Sequence, residues 1–170
     1  MIDPETLPYR PNVGAVLFNR DGLVWIGRRR QHPTQEAAPG GWQLPQGGID
    51  PAEDPGIAVL RELAEEIGTD RAEIIAEHPE WLTYDLPREI VGKALGGKYR
   101  GQRQKWFAAL YLGSDHEIDV QTAHPEFNAW AWMDIDGLAQ QAVPFKRALY
   151  DAIVEQFRPL ALELAAGRPV

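Results

Sequence analysis

The feature that most constrains this chain is a segment spanning residues 47–68, which begins with two glycines and ends with another. Within the segment, Asp54 and Pro55 are the residue types expected at a helix N-cap and at the first helical position. Gly68 ends the run, where glycine readily adopts the left-handed conformation that closes many helices. The segment therefore predicts a loop followed by a helix of about three to four turns.

Three carboxylates crowd onto one face of this predicted helix. Glu62, Glu65 and Glu66 have i, i+3 and i+4 spacing, which places their Cβ atoms only about 5–6 Å apart. The remaining faces are apolar and suited to burial, with Ile57, Leu60, Leu63, Ala64 and Ile67. Because like charges repel at this spacing, the triplet favours a divalent cation with a preference for oxygen ligands. A solvated acidic face is the alternative that the triplet alone leaves open.

The full pattern G-x5-E-x7-R-E-L-x-E-E-x-G resembles the signature of the Nudix hydrolases. It is carried here by Gly47, Glu53, Arg61, Glu62, Glu65, Glu66 and Gly68. The resemblance implies an α/β fold in which a mixed β-sheet is sandwiched between helices, and an enzyme that uses a metal to cleave a diphosphate. One departure is Thr69, which stands where the family usually has an aliphatic residue.

Length and composition favour one domain over residues 1–170, and the resemblance implies a core at about 8–158. The absence of cysteine excludes disulfides and thiolate metal sites, and the acidic N-terminus does not resemble a signal peptide. A cytoplasmic protein without a membrane partner is therefore expected, and no obligate protein partner is inferred. The net charge of −8 argues against non-specific coating of a nucleic acid, but permits a local basic site for one phosphorylated end.

Patterns along the chain predict the elements of the sheet. Apolar runs at residues 13–18 and 23–27 flank a turn and predict a β-hairpin. Alternation places Trp130 and Trp132 on the same side of a further strand. From Phe145 onward an apolar residue recurs every fourth position, which predicts a helix ending near Pro159. Other strands are predicted at residues 42–45, 72–76, 81–85 and 104–112.

Segments outside the signature narrow the resemblance to RNA pyrophosphohydrolases and the similar dinucleoside polyphosphate hydrolases. The matching stretches are residues 9–14, 42–48, 81–84, 101–107, 125–127 and 145–147. This subfamily resemblance implies removal of pyrophosphate from the 5′ end of tri- or diphosphorylated RNA, together with cleavage of dinucleoside polyphosphates. A dedicated diadenosine tetraphosphate hydrolase remains an alternative, as does a catalytically silent domain that binds nucleotides.

The resemblance also implies roles for individual residues. Glu62, Glu65, Glu66, Glu126 and Gly47 would bind the metal, with Mg2+ favoured and Mn2+ or Zn2+ possible. Either Glu66 or Glu126 would act on the attacking water. The predicted contacts to phosphate and nucleotide are Arg10, Arg29, Lys105, Tyr84, Val143, Phe145 and Lys146. The residues themselves indicate a structural role for Arg61, because it lies one position before Glu62 and so projects from a different part of the helix, away from the chemistry. We expect it to form an ion pair with Glu53 that pins the loop to the helix.

Structural roles compete with several of these predictions. Arg10 and Arg29 could be ordinary surface cations. Phe145 could belong to the apolar stripe of its helix, and Tyr84 could be a core tyrosine with a hydrogen-bonded hydroxyl. The loop at residues 31–41, with its prolines and alanines, differs from the shorter bacterial enzymes and could alter substrate entry. Residues 89–101 are closer to the plant-like dinucleoside polyphosphate hydrolases.

Overall fold

The computed structural model describes residues 2–30 and 41–170. Its centre is a mixed sheet in which β1 (Tyr9–Phe18) and β7 (Gly101–Tyr111) run parallel over ten paired positions. The other pairings are antiparallel. The remaining strands are β2 (Val24–Arg29), β3 (Trp42–Gln43), β4 (Gln46–Gly48), β5 (Ala72–Glu77), β6 (Leu82–Asp85) and β8 (Phe127–Met133).

Helices cover both faces of this sheet. The helix α1 (Pro55–Ile67) packs on one face, where Val13, Ala15 and Leu17 of β1 point. A short helix α2 (Leu138–Gln141) and the long α3 (Arg147–Ala165) cover the opposite face. The period-two alternation of strand side chains gives each face its own apolar core. The predicted sheet between helices is therefore confirmed.

The predicted β-hairpin is present as β1 and β2. The Asn19 side chain holds its turn by accepting from the backbone N–H groups of Asp21 and Leu23, each at 3.0 Å. Gly22 adopts a φ of 78°, a left-handed conformation that glycine adopts without strain. The strand carrying Trp130 and Trp132 is also present, and their rings meet edge to face at 6.0 Å between centroids.

The end predicted for the last helix is wrong. The helix passes through Pro159 and continues to Ala165. Proline removes one backbone hydrogen bond, but Pro159 lies on the exposed side of the helix, where water can reach the freed carbonyl. Beyond it, Ala161 and Leu164 bury their side chains in the core, which offsets the loss. Phe145 lies in a 3-10 turn (Pro144–Lys146) before the helix, rather than in its first turn.

The predicted entry loop at residues 31–41 falls almost wholly outside the described residues. None of the described helices is long and apolar enough to cross a membrane.

Candidate active site

The acidic face of α1 is set by the caps at its two ends. The Asp54 side chain accepts from the backbone N–H groups of Gly56 and Ile57 at 2.9 and 3.3 Å. At the other end Gly68 has a φ of 76°, as the sequence predicts for a left-handed cap. With these ends fixed, the helix holds its glutamates toward β4 and the cleft beside it.

Arg61 ties the loop before the helix to the helix itself. Its guanidinium donates to both oxygens of Glu53 at 2.9 Å, so the predicted ion pair is present in bidentate form. A third bond of 2.9 Å reaches the carbonyl oxygen of Gly48. The hydrogen bonds from Arg61, and then that from the Asp50 backbone, lower the pKa of Glu53 to about 2. Glu53 therefore remains ionised at neutral pH and holds the loop.

Arg61 also contacts the carboxylates that the sequence assigns to metal binding. It donates to Glu62 at 2.8 Å and lies 3.4 Å from Glu65, whose side chain is 60% exposed. Sequence reasoning placed Arg61 away from the chemistry because it projects from another part of the helix. The arginine side chain is long enough to reach both the loop and the acidic face of the helix, and so its charge offsets some of the negative charge of the glutamates.

Glu66 is the most strongly perturbed of the acids. It is only 5% exposed, and one of its carboxylate oxygens has no hydrogen-bond partner among the described residues. Burial raises the pKa of Glu66 well above its usual range, and the charges of Glu62 and Glu126 raise it further. The backbone N–H of Gln46 opposes this effect by hydrogen bonding to the carboxylate. Burial likewise raises the pKa of Glu62, against the opposing influence of Arg61.

The donor set fits a hard divalent cation. All the candidate ligands are oxygens, and Glu126, just before β8, adds its field to those of Glu62 and Glu66. The Cα of Gly47 lies so close to the Glu62 carboxylate that any side chain at position 47 would overlap it. Among the described residues, no three acidic or histidine side chains converge closely enough to form a finished metal site. A cation would therefore have to draw the carboxylates together.

A cleft of about 1010 Å³ opens beside these acids. Its lining includes Glu62, Glu65 and Glu126, together with the predicted phosphate contacts Arg10 and Arg29. Neither arginine forms an ion pair with an acid in the part of the chain that the structure describes. Both cations therefore face the cleft with charge available for an anionic ligand.

The structure does not bring Lys105 to this cleft. Its ammonium donates instead to the backbone carbonyl of His78. Alternation along β7 explains the difference, because Gln102 lines the cleft and a side chain three positions further along points to the opposite face. The prediction that Lys105 contacts phosphate therefore has no support from the geometry.

The far end of the cleft is aromatic. The rings of Tyr84 and Phe145 lie 5.9 Å apart, and the Lys146 ammonium lies 5.0 Å from the centre of the Tyr84 ring. The Tyr84 hydroxyl accepts from the Gln102 side chain at 2.6 Å, so both competing interpretations of Tyr84 apply: it is 7% exposed and it lines the cleft. Burial, and then the charge of Arg29, lowers the pKa of Lys146 to about 8. Val143 completes this end.

Several lining residues were missed by sequence reasoning. Polar and basic ones include Arg28, Arg30, Gln46, Gln102, Asn128 and Tyr150, and an apolar wall comes from Leu86, Ile90, Ala94 and Leu95. The run of three arginines at the end of β2 was a visible signal for the first two. The wall had no such signal, because its residues resemble ordinary core positions until the turn that presents them is known.

Comparison with known proteins identifies the family. The family model described as NUDIX domain matches residues 8–153, and the chain belongs to this family. A relative from Cereibacter sphaeroides is 52% identical over 160 residues, which cover 93% of this chain and 96% of the relative. One from Gluconobacter oxydans is 51% identical over 170 residues, covering 99% and 95%. Both relatives are named RNA pyrophosphohydrolase.

Solved structures agree on the fold. The Escherichia coli dihydroneopterin triphosphate pyrophosphohydrolase matches with a TM-score of 0.61 at 19% identity, covering 87% of this chain and 96% of that one. A Caenorhabditis elegans Ap4A hydrolase matches with a TM-score of 0.58 at 21% identity, covering 88% and 98%. At these identities the likeness concerns the fold alone.

Proposed function

We propose that the protein is an RNA pyrophosphohydrolase, which hydrolyses a 5′-triphosphate end of RNA to a 5′-monophosphate end and pyrophosphate. The observation that carries this proposal is that one cleft combines carboxylates with an aromatic pair and Lys146, and that the charge of Arg29 acts on both Glu66 and Lys146. The names of relatives at about half identity over nearly the whole chain support the same substrate. RNA of this kind is met in the cytoplasm, which we propose as the location.

The arginines would bind the phosphate chain. Arg10 is oriented by a hydrogen bond to Gln102 at 3.3 Å, while Arg29 lies near enough to Lys146 and Tyr84 to influence the pKa of both. A triphosphate laid along these cations would bring its terminal phosphates toward Glu62 and Glu66. Because guanidinium groups bind phosphate through paired hydrogen bonds, they would fix the orientation of the chain as well as neutralise it.

The carboxylates would hold a divalent cation and handle the water. Glu62, Glu65, Glu66 and Glu126 are the side chains that we propose as ligands, with the backbone carbonyl of Gly47. When bound, the cation neutralises phosphate charge and lowers the pKa of a coordinated water. Mg2+ fits this oxygen donor set best among the candidate ions. Glu66 or Glu126 would then accept the proton from the attacking water as it forms its bond to phosphorus and pyrophosphate departs.

The nucleotide end would distinguish RNA from other phosphoanhydrides. Phe145 and Lys146 line the same cleft near Arg29, and we propose that a nucleotide after the first binds there when the triphosphate reaches the acids. A base stacked on an aromatic ring contributes roughly 1–3 kcal/mol, which corresponds to an effect of about five- to 150-fold on binding. Only a substrate with a nucleotide beyond the first can gain this stacking energy in full.

The test compares one short triphosphorylated RNA with diadenosine tetraphosphate, first separately and then in competition. We expect the parent enzyme to release pyrophosphate from the RNA and to prefer it. The Phe145→Ala variant should lose about five- to 150-fold in kcat/KM on the RNA and much less on the dinucleotide. Trp81→Ala serves as the matched control, because Trp81 packs under Arg103 outside the cleft lining.

Two outcomes would contradict the proposal. An enzyme that cleaves diadenosine tetraphosphate but leaves the RNA end intact would be a dedicated dinucleoside polyphosphate hydrolase. Equal losses on both substrates in a folded Phe145→Ala protein would remove the proposed RNA-specific contact. Melting temperature reports whether the variant is folded, since Phe145 also packs against core residues.

A further inference from the structure

A fully buried amide lies behind the cleft, at Gln104. Its side-chain nitrogen donates to Asn12 at 2.8 Å and to the side-chain oxygen of Gln46 at 2.6 Å. Its oxygen accepts from the indole N–H of Trp106 at 3.1 Å. Because an indole N–H can only donate, the oxygen must face Trp106 and the amide nitrogen must face the other two residues. The orientation of Gln104 is therefore fixed by its surroundings.

Gln46 begins β4, the short strand that lies against the acids of α1. The two residues after it are glycines, which have no side chains to anchor the strand. Arg61 holds the far end through its bond to the carbonyl of Gly48. At the other end of the strand, Gln104 holds the Gln46 side chain by a hydrogen bond, and β4 also pairs with β1.

The same strand contacts two of the candidate ligands. The backbone N–H of Gln46 lies near enough to Glu66 to lower the pKa of its carboxyl, and Gly47 packs directly on the carboxylate of Glu62. Any shift of β4 would therefore move the Gln46 N–H and the Gly47 carbonyl relative to these two carboxylates. Gln104 itself does not line the cleft, so it cannot reach the substrate.

We propose that Gln104 is a positioning residue for the metal site and acts through Gln46. It fixes β4, and with it the Gly47 carbonyl, beside Glu62 and Glu66, which would bind the cation. This inference rests on the proposed function for the metal chemistry, but not for the identity of the substrate. Residues that orient metal ligands typically contribute about 10–100-fold to metal affinity, which sets the expected size of the effect.

The experiment measures Mn2+ binding to the full chain by electron paramagnetic resonance, without substrate. The parent is compared with Gln104→Leu, Gln46→Ala and the double variant. We expect each single variant to bind Mn2+ about 10–100-fold more weakly. If Gln104 acts through Gln46, the double variant should be no weaker than Gln46→Ala alone, because both changes break the same link. In activity assays kcat should fall while the KM for RNA changes little.

Two further variants separate positioning from general loss of stability. Gln104→Leu leaves buried partners unbonded and shortens the side chain, so Gln104→Met provides a second variant of nearly the same length. Its thioether has no N–H or O–H group to donate to Gln46, and we expect the same loss of Mn2+ binding. Ile153→Ala, in the core of α3, lowers stability, but Ile153 neither hydrogen-bonds to Gln104 nor lines the cleft, so this variant should bind Mn2+ as the parent does.

Several results would overturn the inference. These are parental Mn2+ affinity in both Gln104 variants, a double variant whose loss is the product of the two single losses, or a parent that binds no Mn2+. A parent that binds Mn2+ but does not cleave triphosphorylated RNA would contradict the proposed function alone. The two proposals can therefore fail separately.

Discussion

Replacing Lys146 by arginine should remove a fall in kcat/KM that the parent enzyme shows as pH rises through about 8. The Lys146 ammonium lies 5.0 Å from the centre of the Tyr84 ring, in the part of the cleft where we propose that the nucleotide binds. Burial is the main reason that its pKa falls to about 8, and the nearby charge of Arg29 adds to the effect. Arginine keeps its charge throughout this range, because its guanidinium does not deprotonate in proteins.

The size of the effect follows from the pKa. With a value of about 8, the charged fraction of Lys146 falls from about 0.9 at pH 7 to about 0.1 at pH 9. If only the charged form binds RNA productively, kcat/KM should fall by about tenfold over this interval. The effect belongs in kcat/KM, which reports the free enzyme, whereas a bound polyanion would raise the pKa of Lys146 and shift the change in kcat to higher pH.

The assay measures kcat/KM on a short triphosphorylated RNA between about pH 6.5 and about pH 9.5. The ratio of parent to Lys146→Arg is the informative quantity, because titration of every other group is common to both enzymes and divides out. Lys105→Arg is the matched control, since Lys105 lies outside the cleft lining. A parent-to-Lys146→Arg ratio that stays constant over the whole range would refute the reasoning.

The free energy of unfolding should also depend on the titration of Lys146, but it should rise with pH where RNA binding falls. The pKa of Lys146 in the folded protein is below that of an unfolded lysine, so the unfolded chain binds more protons between about pH 8 and about pH 10.4. The contribution of Lys146 to stability therefore rises with pH across this window, as binding of RNA weakens. Chemical denaturation at several pH values gives the free energy of unfolding of the parent and of Lys146→Met. The difference between the two should change within this window alone.

The remaining predictions concern the acids, the helix cap and the arginines. Glu66→Gln should lower turnover by orders of magnitude yet raise the melting temperature in chelator, because burial disfavours the Glu66 charge when no cation is present; a full-rate variant would contradict this. Gly68→Ala should lower the free energy of unfolding more than Gly96→Ala does, as measured by denaturant titration. Both glycines have left-handed φ angles, which cost a residue with a side chain about 1–2 kcal/mol. Of the two, only Gly68 has a backbone oxygen 2.5 Å from an added Cβ. Arg10→Ala and Arg29→Ala should each raise the KM for RNA and reduce its salt dependence, and unchanged kinetics would make them plain surface residues.

Local sequence chemistry was enough to predict the helix that carries the acids. The cap residues Asp54 and Gly68 act through neighbouring backbone groups, so their effect does not depend on the rest of the fold. The ion pair of Arg61 with Glu53 was predictable for a similar reason, because a helix and the loop before it must lie close together. Whether three acids on one face bind a metal is a different matter, since that depends on residues that approach from other strands.

The predictions that failed depended on information that is absent from local patterns. Lys105 was assigned by its position within a matched segment, but the face to which a strand residue points depends on register against β1. Pro159 ends most helices, yet here the buried residues after it outweigh one lost hydrogen bond. Gln104 gave no signal as a buried link to β4, because its partners are distant in sequence.

The residues that line the cleft fall into two groups, one that is local in sequence and one that is drawn from distant segments. The candidate metal ligands, except Glu126, all come from residues 47–66, where β4 and α1 are held together by Arg61. The candidate substrate contacts come from β1, β2, β6 and the turn before α3, which meet only through the sheet. A signature confined to the first group can therefore define a metal-dependent hydrolase without naming its substrate. The identity of the substrate depends instead on the second group, and in particular on whether a nucleotide beyond the first is held by Phe145 and Lys146.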